Sequence, residues 1–152
     1  VVGTGSAGFE VVRQLVTKLP VMVTPRWVRT PCQPIAVRDA VAYLVGVLDR
    51  PETAGETYAI GGPEVLTYEE MLRRTARMMG RPLLVVPVPV LSPALSAYWV
   101  DLVTDVPRSV AHPLIDGLKN PVVVEDDAIC SLVDVELTPF DAAVERALAG
   151  NE

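Results

Sequence analysis

A chain of 152 residues with 50% hydrophobic side chains and a mean hydropathy of +0.34 can form one domain with its own core, but not two comfortable ones. Thirteen basic residues against nineteen acidic ones give a net charge of −6, and no Lys/Arg cluster is interleaved with aromatics, which argues against nucleic acid as a partner. The apolar surplus points to surface buried against something else, either a missing N-terminal half or a second copy. Val1-Val2-Gly3 reads as the tail of a strand, and a chain opening on Val1 is expected to be a fragment of a larger protein or a processed chain.

In chain order, Ser6 is placed to cap a helix whose stripe is Phe9, Val12, Leu15, Val16 and Leu19. A short apolar run at 21–23, bounded by Pro20 and Pro25, predicts a buried strand. The basic-aromatic loop Arg26-Trp27-Val28-Arg29 follows, then an extended piece around Gln33-Pro34-Ile35. Asp39 stands where an N-cap belongs, ahead of a helix with Val41, Leu44, Val45 and Leu48 on one side. Beyond the polar turn at 49–55, residues 56–60 read as a strand that stops at Gly61-Gly62-Pro63.

The next helix carries the fullest set of local signals. Thr67 and Glu70 form a T-x-x-E capping box, with Leu66 and Met71 as its hydrophobic staple, Arg77 in the last turn and Gly80 just beyond. Residues 83–100 hold no charge and are nearly long enough to span a bilayer, but Pro87, Pro89 and Pro93 interrupt them. A buried strand at 83–88 and a helix starting at Ser92-Pro93 is the better reading. Further on, 122–124 is a candidate strand, Glu125-Asp126-Asp127 a solvated acidic turn, and 139–148 a terminal helix. Strands alternating with helices, without hairpin signals, predict an α/β domain over residues 1–152, Rossmann-like, with a largely parallel sheet and flanking helices.

Cys32 and Cys130 belong to no CxxC or Cys/His pattern, so a reducing cytoplasm is expected, with free thiols favoured over a disulfide between them. No metal-ligand set is assigned. The single histidine, His112, precedes Pro113 and is read as structural. No basic flank followed by a long apolar core marks a signal peptide.

Gly3-Thr4-Gly5-Ser6-Ala7-Gly8 matches G-x-G-x-x-G. Such a turn lets backbone N–H groups and a helix N-terminus approach a pyrophosphate, but Val23, Thr24 and Pro25 stand where a ribose-binding Asp or Glu belongs. Three readings stay open: a pyrophosphate loop, a tight turn capped by Ser6, and a turn touching another part of a cofactor.

The stretches VVGTGSAGFEVVRQLVTKLPVM, PRWVRTPCQPIAVRDAVAYLV and ETYAIGGPEVLTYEEMLRRTARMMG together resemble the C-terminal half of an extended or atypical short-chain dehydrogenase/reductase. The nearest group is the NAD(P)-binding, epimerase-like proteins, which are similar to the accessory subunit of respiratory complex I. The resemblance covers residues 1 to about 80 and continues more loosely through PVPVLSPALSAYWVDLV. It implies that Gly3, Thr4, Gly5 and Ser6 lie beside the nicotinamide end of NAD or NADP. It also implies that the segment from Gln33 to Asp39 borders the substrate pocket. The family's phosphate-binding glycine loop belongs to its first strand, upstream of anything present here. Its catalytic Tyr-x-x-x-Lys is absent, since none of Tyr43, Tyr58, Tyr68 or Tyr98 has a lysine four residues on and the only lysines are Lys18 and Lys119.

The expectation is therefore the substrate-side part of an NAD(P)-dependent oxidoreductase or epimerase, inactive alone, with no catalytic residue of its own. Trp27, Arg29 and Gln33 would line the substrate pocket: the guanidinium to grip a carboxylate or phosphate, the indole to stack on a ring or apolar portion. The alternative is a non-catalytic Rossmann-like module that holds a nucleotide or a protein.

Overall fold

The computed structural model describes residues 1–88, 105 and 107–150. The helix expected after Pro93, and the side chains of Trp27 and His112, lie outside the described residues. The fold is mixed α/β, with a small parallel sheet and flanking helices.

Helix α1 (Ala7–Lys18) buries Phe9, Val12 and Val16, as its stripe requires, and ends at Leu19 before Pro20. Ser6 occupies the N-cap position without capping; its hydroxyl donates to the Val1 carbonyl at 2.8 Å. Strand β1 (Val21–Pro25) pairs in parallel with β4 (Leu84–Val88), in a register that sets Val21 opposite Leu84 and Val23 opposite Val86. Met22 and Val85 face inward and are buried, whereas Val21, Val23, Leu84 and Val86 form an exposed outer face. The strands expected at 21–23 and 83–88 are thus present and paired with each other across the 26–83 crossover, but they are buried on one face only, not throughout as expected.

The 3₁₀ turn Arg26–Arg29 leads to β2 (Pro31–Cys32), which pairs antiparallel with β3 (Leu66–Thr67). Among the described residues the strands thus form two separate two-stranded sheets, one parallel and one antiparallel, in place of the single, largely parallel sheet that the sequence pattern suggests; the isolated bridges Val2–Ala36 and Cys32–Val122 are both parallel. Those bridges are all that forms of the strands expected at 1–2 and 122–124. Residues 56–60 form no strand. Tyr58 and Ile60 pack instead on a core cluster of Ile35, Ala40, Tyr43, Ile129 and Val133, and Gly62 runs so close to Pro34 that a Cβ there would lie 2.0 Å from its carbonyl oxygen.

Helix α2 (Val37–Gly46) starts two residues before Asp39, with Ala36 at the N-cap position. Asp39 does not cap it. Its buried carboxylate accepts the Thr138 N–H at 2.6 Å and the Thr138 hydroxyl at 2.9 Å, tying α2 to a distant loop. The stripe of Val41, Leu44, Val45 and Leu48 faces solvent, and the buried side is Asp39, Ala40 and Tyr43.

Helix α3 (Tyr68–Met78) forms as its signals dictate. Glu70 N–H donates to the Thr67 hydroxyl and the Glu70 carboxylate receives the Thr67 N–H, while Leu66 and Met71 are buried in one cluster. Gly80 takes φ +63°, and the N–H groups of Gly80 and Arg81 close back onto Arg77 and Ala76, satisfying carbonyls of the last turn. An isolated helix of this length is marginal in water, so packing holds it: α3 lies against α1 and against the terminal helix α6 (Phe140–Ala149). Between α3 and α6 come α4 (Arg108–Gly117), which contains Pro113, and α5 (Ala128–Leu132). No helix among the described residues is long and apolar enough to cross a membrane.

Candidate functional site

The bridge between Val2 and Ala36 fixes where the glycine turn sits. Val2 N–H donates to the Ile35 carbonyl at 2.7 Å and Val37 N–H donates to Val2 at 2.8 Å, so two short extended segments run side by side in one direction. At the end of the first, Gly3 to Ser6 turn into α1; at the end of the second, Ala36 leads directly into α2. Two helix N-termini thus follow from the same end of one parallel pair.

The turn is closed by Ser6 N–H on the Gly3 carbonyl, and Gly5 takes φ +78°, a conformation that favours glycine. Thr4 donates to the Ala147 carbonyl at 3.2 Å and anchors the turn to α6. No side chain caps α1, and a Cβ built at Gly8 would meet nothing within 4 Å. The first-turn N–H groups of a helix have no acceptor within the helix. The exposed side of this turn is therefore open to a polar or anionic group.

Arg29 and Gln33, also nominated by the sequence, are each engaged by different partners. Trp27 lies in the 3₁₀ turn Arg26–Arg29. Arg29, at the end of that turn, is 63% exposed and donates through Nε to Glu69 on α3 at 3.3 Å. Gln33 faces elsewhere. Its Nε2 donates to the Gly62 carbonyl at 2.7 Å and its Oε1 accepts the Val124 N–H at 2.9 Å, so its amide clips together two loops that contribute no ladder.

Gln33 does line an open cleft of about 340 Å³, together with Tyr43, Gly61, Val124, Ile129 and Leu137. Glu125, Asp126 and Asp127 rim it, so the acidic turn is solvated as expected and also borders this space. Tyr43 and Cys130 meet on its wall, Oη to Sγ 3.4 Å. Burial, and secondarily the Cys130 contact, push the Tyr43 phenol up to about 12, so it stays protonated at neutral pH. Such a cleft suits an uncharged or cationic group and disfavours a phosphate. Neither Arg29 nor the glycine turn is among its described lining residues. Gln33 and the acidic run were its signals in the sequence; Tyr43 and Cys130, 87 positions apart, carried none.

Both cysteines are free, Cys32 buried and Cys130 exposed. Burial raises Cys32 to about 11, which keeps it a thiol. Among the described residues, no group of three or more His, Cys, Asp or Glu side chains is placed to hold a metal ion. No protein-family model matches the chain, and no curated protein matches it.

Proposed function

We propose that this chain is the substrate-side part of an NAD(P)-dependent oxidoreductase or epimerase of the short-chain dehydrogenase type, with a Rossmann-like fold, and that it does not run hydride transfer alone. The observation carrying this reading is the parallel Val2–Ala36 pair, with the glycine turn leaving one member and α2 leaving the other. In open α/β folds, ligands bind outside the carboxyl ends of parallel strands. Gly3, Thr4, Gly5 and Ser6 would hold the cofactor there, and NAD or NADP would supply the hydride chemistry. Trp27, Arg29 and Gln33 remain candidates for substrate contact, Gln33 in the cleft that it lines and Arg29 outside that cleft's described lining. The exposed outer face of β1 and β4 supports the view that more of the fold belongs against it, because parallel sheets are ordinarily covered on both faces.

A second reading, a non-catalytic Rossmann-like module for a nucleotide or a protein, is favoured by the tyrosines. Tyr43 and Tyr68 are pushed up to about 12 by burial, and neither has a lysine to bring it toward neutral pH.

The test combines the intact mass of the native gene product with calorimetric titration of NAD(H) and NADP(H) into that product and into the 152-residue chain. Gly8→Glu places a carboxylate in open space at the α1 N-terminus, where it favours the helix but repels phosphate. A longer native product that binds dinucleotide, and loses it on Gly8→Glu, supports the enzyme reading. A native product of this size that binds dinucleotide without turnover favours the module, and binding unaffected by Gly8→Glu removes the glycine turn from the site.

A further inference from the structure

Helix α2 turns its most apolar side away from the core. Val41, Leu44, Val45 and Leu48 are 50, 64, 57 and 80% exposed. Val41, Leu44 and Val45 lie on α2, and Leu48 on the 3₁₀ turn Val47–Asp49 that continues it; in sequence the four fall at i, i+3, i+4 and i+7, the spacing of a stripe that packs lengthwise on another helix. Isolated apolar residues on a surface are ordinary; a complete stripe marks a contact.

The stripe also has distinct ends. Arg38, 54% exposed, stands at its start, and its approach to Asp39 at 3.8 Å is to a carboxylate already engaged by Thr138. Asp49 stands at its far end, exposed and without an ion pair among the described residues. Neighbouring Glu52 approaches Arg50 at 3.9 Å.

We propose that a second copy of this chain occupies the stripe, the two α2 helices pairing antiparallel about a two-fold axis. With that axis between Leu44 and Val45, Leu44 of one protomer meets Val45 of its partner and Val41 meets Leu48. The same rotation brings each Arg38 end to the Asp49 end of the other helix, whereas a parallel pair would set Arg38 against Arg38. The end charges therefore select both the occupant and its direction. An anionic membrane surface would instead call for basic residues along both flanks. One helix face makes an interface well below the roughly 800 Å² per partner of tight complexes, so the dimer depends on concentration. This inference does not rest on the dinucleotide reading.

Sedimentation velocity of the whole chain over a wide concentration range tests it. The expected result is a monomer–dimer equilibrium whose dissociation constant rises about tenfold or more with Leu44→Glu, and likewise with Leu48→Glu. Both positions are exposed, so far-ultraviolet circular dichroism should be unchanged. Arg38→Glu and Asp49→Arg should each weaken the dimer, and the double variant should regain it. A monomer at every concentration overturns the proposal. So does a dimer indifferent to both leucine variants, or charge reversals whose effects add instead of cancelling.

Discussion

Asp39 and Thr138 form a two-point lock between α2 and the loop that enters α6: one carboxylate oxygen takes the Thr138 N–H at 2.6 Å, the other its hydroxyl at 2.9 Å. Asp39 is only 1% exposed, so water cannot replace either bond. Asp39→Asn presents an amide that can accept at one oxygen only and turns a donor toward Thr138. The expected loss is about 2 kcal/mol in urea unfolding, against about 1 kcal/mol for Thr138→Val, which removes only the hydroxyl bond. Equal stability of Asp39→Asn and the parent would show that the lock contributes nothing.

Arg74 joins three segments: its guanidinium donates to Glu64 at 2.6 Å and Asp141 at 2.7 Å, and lies over the Phe140 ring at 5.3 Å. Glu64 in turn accepts the Phe140 N–H at 2.7 Å at the start of α6. The Arg74 hydrogen bond, then the Phe140 N–H, hold the Glu64 carboxyl below its ordinary 4.5 despite opposing desolvation. A carboxyl depressed in the folded state stabilises fully above its unfolded pKa, and that stability is lost as pH falls through the folded value. Arg74→Met keeps much of the contact with Phe140 but removes the charge. Its unfolding free energy should therefore fall less steeply than the parent's as pH drops below about 4.5. Parallel pH profiles would exclude this clamp as an acid-sensitive element.

Two glycines should respond differently to alanine. At Gly80 nothing lies within 4 Å of an added Cβ, so only the φ of +63° is strained and the cost is about 1 kcal/mol. At Gly62 the added carbon would meet the Pro34 carbonyl, a backbone atom that cannot step aside, and about 3 kcal/mol is expected. Urea midpoints of the two variants give the order directly; a milder effect at Gly62 would mean that the 61–62 segment relaxes away from Pro34.

The cysteines should separate by reactivity. Cys130 is exposed, while Cys32 is buried with its thiol raised to about 11. A thiol-specific reagent at neutral pH should label Cys130 in the native chain and reach Cys32 only on unfolding. Peptide mapping of the labelled native protein checks this, and prompt labelling of Cys32 would contradict its burial.

What the sequence alone determined is what neighbours along the chain can settle. The Thr67–Glu70 box, the Leu66–Met71 staple and the Gly80 terminus need only a turn or two of chain, and all are present around α3. The stripe of α1 and the proline-bounded runs that became β1 and β4 are legible for the same reason. Tertiary structure decided the rest, because periodicity finds a stripe without saying which side the core lies on. In α2 the apolar stripe faces out, since Asp39 and Tyr43 find their partners, Thr138 and Cys130, 99 and 87 positions away. Residues 56–60 have strand composition but form no strand; Tyr58 and Ile60 pack on the Ile35–Tyr43 cluster, and Gln33 clips their neighbour Gly62. The cleft between Gln33, Tyr43 and the acidic turn exists only because those long-range contacts close, and no local pattern encodes them.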